Sequence, residues 1–260
     1  MNEIISRNII RMQFERLNMS YTRMLKNFGA EDIHRFRVDI KRIRAFIRLQ
    51  NTNTVTPIEI PEKLKRVYDR VGVLRNLQLY RRSIKKSAGV ESVSGHERKK
   101  VNNKLKKIKK HLKEILSVEL VKKAYRKIDK KISRNINETD VFVFYKNNMN
   151  SIANALTIVP AEDEHLHLIR KNLKDIIYNA ITFEKDLVRK FPVTGWTKEK
   201  EECMIELADQ LGRFRDTRIR LNHLKKINHP GNKAEPELVK IIAQQQELTK
   251  HIRQTLVTTV

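Results

Sequence analysis

Apolar residues recur three and four positions apart along almost the whole chain, and this spacing is the feature that most restricts its fold. Side chains at this spacing share one face of an α-helix, which can then be buried. The 260 residues include only 7 Gly and 6 Pro, too few turn residues for an architecture of many short strands. The sequence therefore predicts an all-α fold.

Breaks in the periodic pattern divide the chain into eight predicted helices. The first half contains four of them, over residues 2–26, 31–49, 61–86 and 96–134. The second half contains the other four, one beginning near residue 141 and three over 162–190, 197–227 and 235–257. The sequence thus predicts two sets of four helices.

Two segments of the second half match segments of the first. Residues 34–41 (HRFRVDIK) align with 167–174 (HLIRKNLK), at an offset of 133. Residues 72–76 (GVLRN) align with 212–216 (GRFRD), at an offset of 140. Because both pairs occur in the same order at offsets that differ by only seven residues, we predict an internal repeat of a four-helix bundle. The predicted repeats span residues 1–137 and 138–260.

The charge of the chain is strongly positive and unevenly placed. Its 55 Lys and Arg against 30 Asp and Glu give a formal net charge of +25. Residues 1–140 hold 36 of these cations and 15 of the acids, a net charge of +21. A charge of this size predicts a polyanionic ligand, such as nucleic acid, an anionic membrane surface or a phosphate polymer.

The predicted helix over residues 31–49 carries two rows of side chains. The apolar row, which is the expected core face, consists of Ile33, Phe36, Ile40, Ile43 and Ile47. The first cationic row lies roughly 95° further round the helix and consists of His34, Arg37, Lys41, Arg44 and Arg48. Cations at this spacing repel one another, and an anion lying along the row would remove the repulsion.

A single charged row on a helix is usually a solvated face, but here the pattern occurs twice. In the second repeat the apolar row consists of Leu166, Ile169, Leu173, Ile176 and Ala180. The second cationic row consists of His167, Arg170 and Lys174. The next two positions at this spacing are Ile177 and Ile181, which carry no charge. Two copies in the same phase favour an anion-binding groove, which Arg66 and Arg70 of the third predicted helix are expected to line.

Several sequence patterns that would indicate an enzyme or a metal site are absent. There is no phosphate-binding G-x-x-x-x-G-K-[ST] loop, no G-x-G-x-x-G turn and no H-E-x-x-H. His165 and His167 would lie about 200° apart on a helix, so both cannot face one ion. Cys203 is the only cysteine, and no segment has the length of a membrane span or the pattern of a signal peptide. We expect a cytoplasmic protein that binds no membrane, is not an enzyme and holds neither cofactor nor metal.

At these residues the chain resembles the CHAD family, the conserved-histidine α-helical domain. The matching elements are His34-x-x-Arg37-Val38-x-x-Lys41-Arg42-x-Arg44, His167-x-x-Arg170-x-x-x-Lys174 with Tyr178, and Gly-x-x-Arg-Asn/Asp at Gly72 and Gly212. The resemblance covers essentially the whole chain. It implies two four-helix bundles related by pseudo-twofold symmetry, a basic channel between or along them, and binding of inorganic polyphosphate at polyphosphate granules. Asp175 and Ile177 stand where the family pattern has basic residues.

Three functions remain open at this point. The first is non-catalytic binding of inorganic polyphosphate, with a separate polyphosphate-metabolising enzyme as a partner. The second is sequence-independent binding of nucleic acid. The third is phosphate transfer or metal chelation by His34 or His167. Polyphosphate suits the residues best, because the first cationic row contains no aromatic side chain on which a base would stack.

Overall fold

A computed structural model of the chain describes residues 1, 3–86, 95–132, 135–157, 163–187 and 190–225, together with helical positions at Ala243, Glu247, Lys250 and Gln254. These residues form eight α-helices and no strand, so the predicted all-α fold is confirmed. Apart from those four positions, the predicted helix over 235–257 lies outside the described residues. The chain divides into two compact units, Met1–Ile136 and Asn137–Val260.

The first unit contains five helices in the described residues. They are α1 (Glu3–Asn27), α2 (Ala30–Gln50), α3 (Glu62–Lys86), α4 (Gly95–Ile115) and α5 (Leu120–Asp129). α2 packs against both α1 and α3, while α4 packs on α3 and α5 packs on α1. A side chain of α2 can therefore meet either of two neighbouring helices, and the first cationic row lies on this helix.

The prediction of one helix over residues 96–134 is wrong. α4 ends at Ile115 and α5 begins at Leu120, with residues 116–119 between them. The Tyr21 hydroxyl donates a hydrogen bond to the backbone carbonyl of Ser117 at 2.9 Å and holds this connection against α1. The break lets α5 turn its own apolar residues, which are Val121, Ala124 and Ile128, into the core. Periodicity alone missed it because apolar residues continue at helical spacing through the break.

The apolar row of α2 forms the core of the first unit, as predicted. All five of its residues are buried, and Phe36 is fully inaccessible to solvent. The Phe36 ring packs against Tyr21 of α1, with 5.7 Å between ring centres. Burial of a side chain of this size stabilises a fold by about 1.5–3 kcal/mol. Hydrophobic burial therefore fixes which face of α2 points inward.

The second unit contains three helices in the described residues: α6 (Glu138–Thr157), α7 (Asp163–Ile181) and α8 (Lys198–Lys225). The middle helix, α7, packs against both α6 and α8. Its predicted apolar row is buried, as in α2. α7 ends before the predicted position and continues as a π-helical turn over Thr182–Asp186. Beyond this turn, Phe191 packs on the ring of Trp196, with 5.0 Å between ring centres.

We expect Ile40→Ala to destabilise the protein by about 2–5 kcal/mol, because it leaves a cavity in the core of the first unit. Ile40 is 1% exposed. The matched control is Ile4→Ala, at a position that is 68% exposed, which should change the free energy of unfolding by less than about 0.5 kcal/mol. Urea denaturation followed by circular dichroism measures both. Equal effects of the two substitutions would contradict the assigned core face.

Candidate functional site

The first cationic row lies beside the core rather than opposite it. Arg37, Lys41, Arg44 and Arg48 are all half-buried, and His34 is exposed. This is the burial expected for a row about a quarter of a turn from a fully buried apolar row. Part of each of these four side chains is therefore removed from water, which makes their charges costly unless other groups compensate them.

Arg37 of α2 forms hydrogen bonds with Tyr68 of α3. Its Nη1 donates a hydrogen bond to the Tyr68 carbonyl at 2.8 Å, and its Nη2 donates one to the Tyr68 hydroxyl at 3.3 Å. Gly72 makes room for this contact, since a Cβ atom there would lie 2.5 Å from Nη1 of Arg37. A carbonyl inside a helix faces the residue four positions later. A side chain at position 72 would therefore block the arginine.

The second unit contains the same contact between α7 and α8. Arg170 donates a hydrogen bond from Nε to the carbonyl of Ala208 at 3.1 Å. A Cβ atom on Gly212, four residues after Ala208, would lie 3.1 Å from Nη2 of Arg170. The aligned arginines and glycines of the two sequence segments thus meet in pairs, Arg37 with Gly72 and Arg170 with Gly212. We call each of these an arginine–carbonyl contact.

Arg44 packs on the same tyrosine as Arg37. The Cζ atoms of the two arginines each lie 4.2 Å from the centre of the Tyr68 ring. Burial lowers the pKa of Arg44, and the nearby charges of Arg48 and Arg37 act in the same direction, while Tyr68 and Asp69 oppose them. An anion placed beside these cations would relieve both their mutual repulsion and the loss of hydration.

The structure places Arg66 and Arg70 away from this cluster. Both side chains are exposed on α3, and Arg66 pairs with Glu62, with Nε and Oε1 3.3 Å apart. Each is two residues from Tyr68, which corresponds to about 160° round a helix. Tyr68 and Gly72 face α2, so the two predicted lining residues are not brought onto the face of α3 that meets the first cationic row.

In the second cationic row each residue contacts another part of its own unit. Lys174 pairs with Asp209, with Nζ and Oδ1 3.0 Å apart, and its side chain is only 15% exposed. Arg170 makes the arginine–carbonyl contact described above. His167 is exposed, and Nη1 of Arg215 contacts its ring nitrogen Nδ1. This row therefore offers a bound anion less positive charge than the first.

A cavity of about 560 Å³ lies between α7 and α8, beside His167 and Arg170. Its wall also contains Arg218, which donates from Nε and Nη2 to Oδ2 of Asp163 at 2.8 and 2.7 Å. The cavity thus contains a neutralised ion pair as well as cations. In the described part of the chain, no three His, Cys, Asp or Glu side chains come together in a way that could hold a metal ion.

Sequence reasoning missed two residues that the structure places at these rows. Tyr68 contacts both Arg37 and Arg44, and Asp209 neutralises Lys174. A signal for Tyr68 was present, because it lies one helical turn before Gly72 and therefore on the same face of α3. Nothing in the charge composition indicated that Asp209 would pair with Lys174, since acidic residues are common on charged helices.

Comparison with known proteins identifies the family. The family model of the CHAD domain matches residues 8–199, and the chain belongs to this family. The fold is similar to that in the crystal structure of the CHAD domain from the plant Ricinus communis. The TM-score is 0.65 at 12% sequence identity, over 97% of this chain and 86% of that one. No curated protein sequence matches the chain. Among the described helices, none is long and apolar enough to cross a membrane.

We expect Gly72→Ala to destabilise the protein by about 1 kcal/mol, because the added methyl group displaces the Arg37 guanidinium from Tyr68, and the lost hydrogen bonds of about 1.5–3 kcal/mol outweigh the roughly 0.5–1 kcal/mol that alanine gains over glycine inside a helix. Gly212→Ala should cost less, since the nearest Arg170 atom lies at 3.1 Å rather than 2.5 Å. Gly95→Ala is the matched control, because a Cβ atom there would have no neighbour within 4 Å. Denaturant titration of the three variants measures the difference. If Gly72→Ala were as stable as Gly95→Ala, the contact would not hold the helices together.

Proposed function

We propose that this CHAD protein binds inorganic polyphosphate, without chemical reaction, along the first cationic row. The observation that supports this most directly is the half-buried pair of Arg37 and Arg44 on the ring of Tyr68, with Arg48 near enough to lower the pKa of Arg44. Such a cluster is costly in isolation and becomes favourable beside a polyanion. Membership of the CHAD family adds support, because the family is linked to polyphosphate binding in general.

The chemistry of the ligand matches the chemistry of the row. Polyphosphate is a flexible chain that carries negative charge on every repeat and has no bases to recognise. Arginine binds phosphate oxygens with a planar fork of N–H donors, and lysine binds them as a point charge. We therefore assign the main contacts to Lys41, Arg44 and Arg48, and a further donor to His34.

We also propose that the chain is an internal duplication in which only the first copy has kept the full binding row. The paired arginine–carbonyl contacts support a common origin of the two units. The first row continues through Arg44 and Arg48, whereas the aligned positions in the second unit are Ile177 and Ile181. His167, Arg170 and Lys174 would then contribute to binding mainly through long-range attraction.

Nucleic acid is the competing ligand class, and one observation argues against it. Non-specific readers of single strands stack bases on exposed aromatic rings. Tyr68, the aromatic residue at the first cationic row, is only 9% exposed, and two guanidinium groups pack on its ring. In a competition assay at equal phosphate concentration, polyphosphate should displace RNA or duplex DNA. Displacement in the opposite direction would favour the nucleic-acid function.

Arg44→Gln should weaken binding of polyphosphate about tenfold or more, because a charge-assisted hydrogen bond contributes about 1.5–3 kcal/mol. The matched control is Arg70→Gln, which removes the same charge from an exposed position away from the row and should weaken binding less than about twofold. Fluorescence anisotropy with labelled polyphosphate of defined length measures both. Equal losses would indicate diffuse attraction to a basic surface.

Binding should strengthen as the pH falls from about 8 to about 6, with His34 responsible for part of the change. An imidazole beside phosphate gains stability on protonation, so the complex takes up a proton and its affinity rises with acidity. In His34→Gln the dependence of affinity on pH should be flatter. A pH profile identical to that of the wild type would remove His34 from the binding site.

A further inference from the structure

Two arginines of α2 pack on the ring of one tyrosine of α3. Binding of an anion does not by itself require the two arginines to share a ring. Arg37 and Arg44 are two turns apart on α2, yet both Cζ atoms lie 4.2 Å from the centre of the Tyr68 ring on α3. A cation over an aromatic face is attracted by the negative charge of the ring. The ring therefore fixes where these guanidinium groups lie before any ligand is bound.

Arg37 and Arg44 contact Tyr68 in different ways. Arg37 donates hydrogen bonds to both the carbonyl and the hydroxyl of Tyr68, so at least two of its N–H groups face the protein. Arg44 contacts the ring through its Cζ atom, which leaves the edge of its guanidinium as the donor surface for phosphate. Arg37 is thus suited to hold the tyrosine, and Arg44 is suited to bind.

The second unit shows which part of this arrangement the fold requires. It keeps the arginine–carbonyl contact, with Arg170 on the carbonyl of Ala208 beside Gly212. The position of the tyrosine is taken by Ala208 itself, and the position of Arg44 is taken by Ile177, which is buried. The fold therefore needs neither the ring nor the second cation. The two are present together in one unit and absent together from the other.

We infer that Tyr68 is a positioning residue for polyphosphate, which holds the Arg44 guanidinium ready to bind while Arg37 and Gly72 hold Tyr68. This inference rests on the proposed function. Arginine has several rotatable bonds, and ordering such a side chain opposes binding. A side chain that is already packed on a ring loses less freedom when the ligand arrives. Tyr68 would then raise affinity without touching the ligand.

The test compares substitutions that leave the net charge unchanged. Tyr68→Met fills similar space without a ring and should weaken polyphosphate binding about five- to tenfold. Tyr68→Phe keeps the ring and should restore most of the affinity. In Tyr68→Met the slope of log affinity against log salt should also become shallower, by up to about 0.7–0.9 for one lost phosphate contact. A merely structural role would lower the folded fraction without changing this slope.

A double-mutant cycle shows whether Tyr68 acts through Arg44. Once Arg44→Gln is present, adding Tyr68→Met should change the affinity less than twofold. An equal effect of Tyr68→Met with and without Arg44 would overturn the inference. If Tyr68→Met fails to fold, Arg44→Lys replaces it, because this variant keeps the charge and loses the planar group. Arg44→Lys should weaken binding, whereas Arg70→Lys should not, and equal affinities of these two would also overturn the inference.

The two proposals fail in different ways in this experiment. If the wild-type protein does not bind polyphosphate, or if Arg44→Gln binds as well as the wild type, the proposed function is wrong. If the wild type binds and Arg44→Gln weakens binding while Tyr68→Met has no effect, only the role of Tyr68 is wrong. Thermal melting of each variant gives the folded fraction by which each measured affinity is corrected.

Discussion

In each unit, an arginine that reaches across a helix interface to a backbone carbonyl constrains how two of the helices pack. Arg37 makes this contact on α3 and Arg170 makes it on α8, each beside a glycine that leaves space for the guanidinium. A half-buried charge needs a polar partner, and a helix carbonyl is available only where no side chain covers it. The need for both an arginine and a glycine sets the register at which the two helices can meet.

In the first unit this register also determines the electrostatics of the candidate site. It places Tyr68 where a second arginine of α2 packs on its ring, so that cations gather beside the core. The second unit has the same register, but its row is less positive because Lys174 is paired with Asp209. The same packing arrangement thus occurs beside a more positive row in the first unit and a less positive row in the second. Most of the net charge lies in the half of the chain that contains the first cationic row.

Much of the fold was predictable because helix formation follows local periodicity. The apolar rows of α2 and α7 were identified residue by residue, and all their members are buried. The break between α4 and α5 was not predicted, because it depends on contacts with α1 such as the hydrogen bond from Tyr21. The cationic rows were also visible in the sequence, but the partners of their residues were not, since those partners lie 31–48 positions further along the chain.

The sequence by itself determined that the chain is helical, that it carries a repeated pattern and that its charge favours a polyanion. These properties follow from the spacing and type of residues within single helices. Only the tertiary structure decided what each cation does: Arg37 holds a helix interface, Arg44 packs on a ring, Lys174 is neutralised, and Arg70 faces away from the row. Such roles depend on which side chains of neighbouring helices come within a few ångströms, and helix packing determines that.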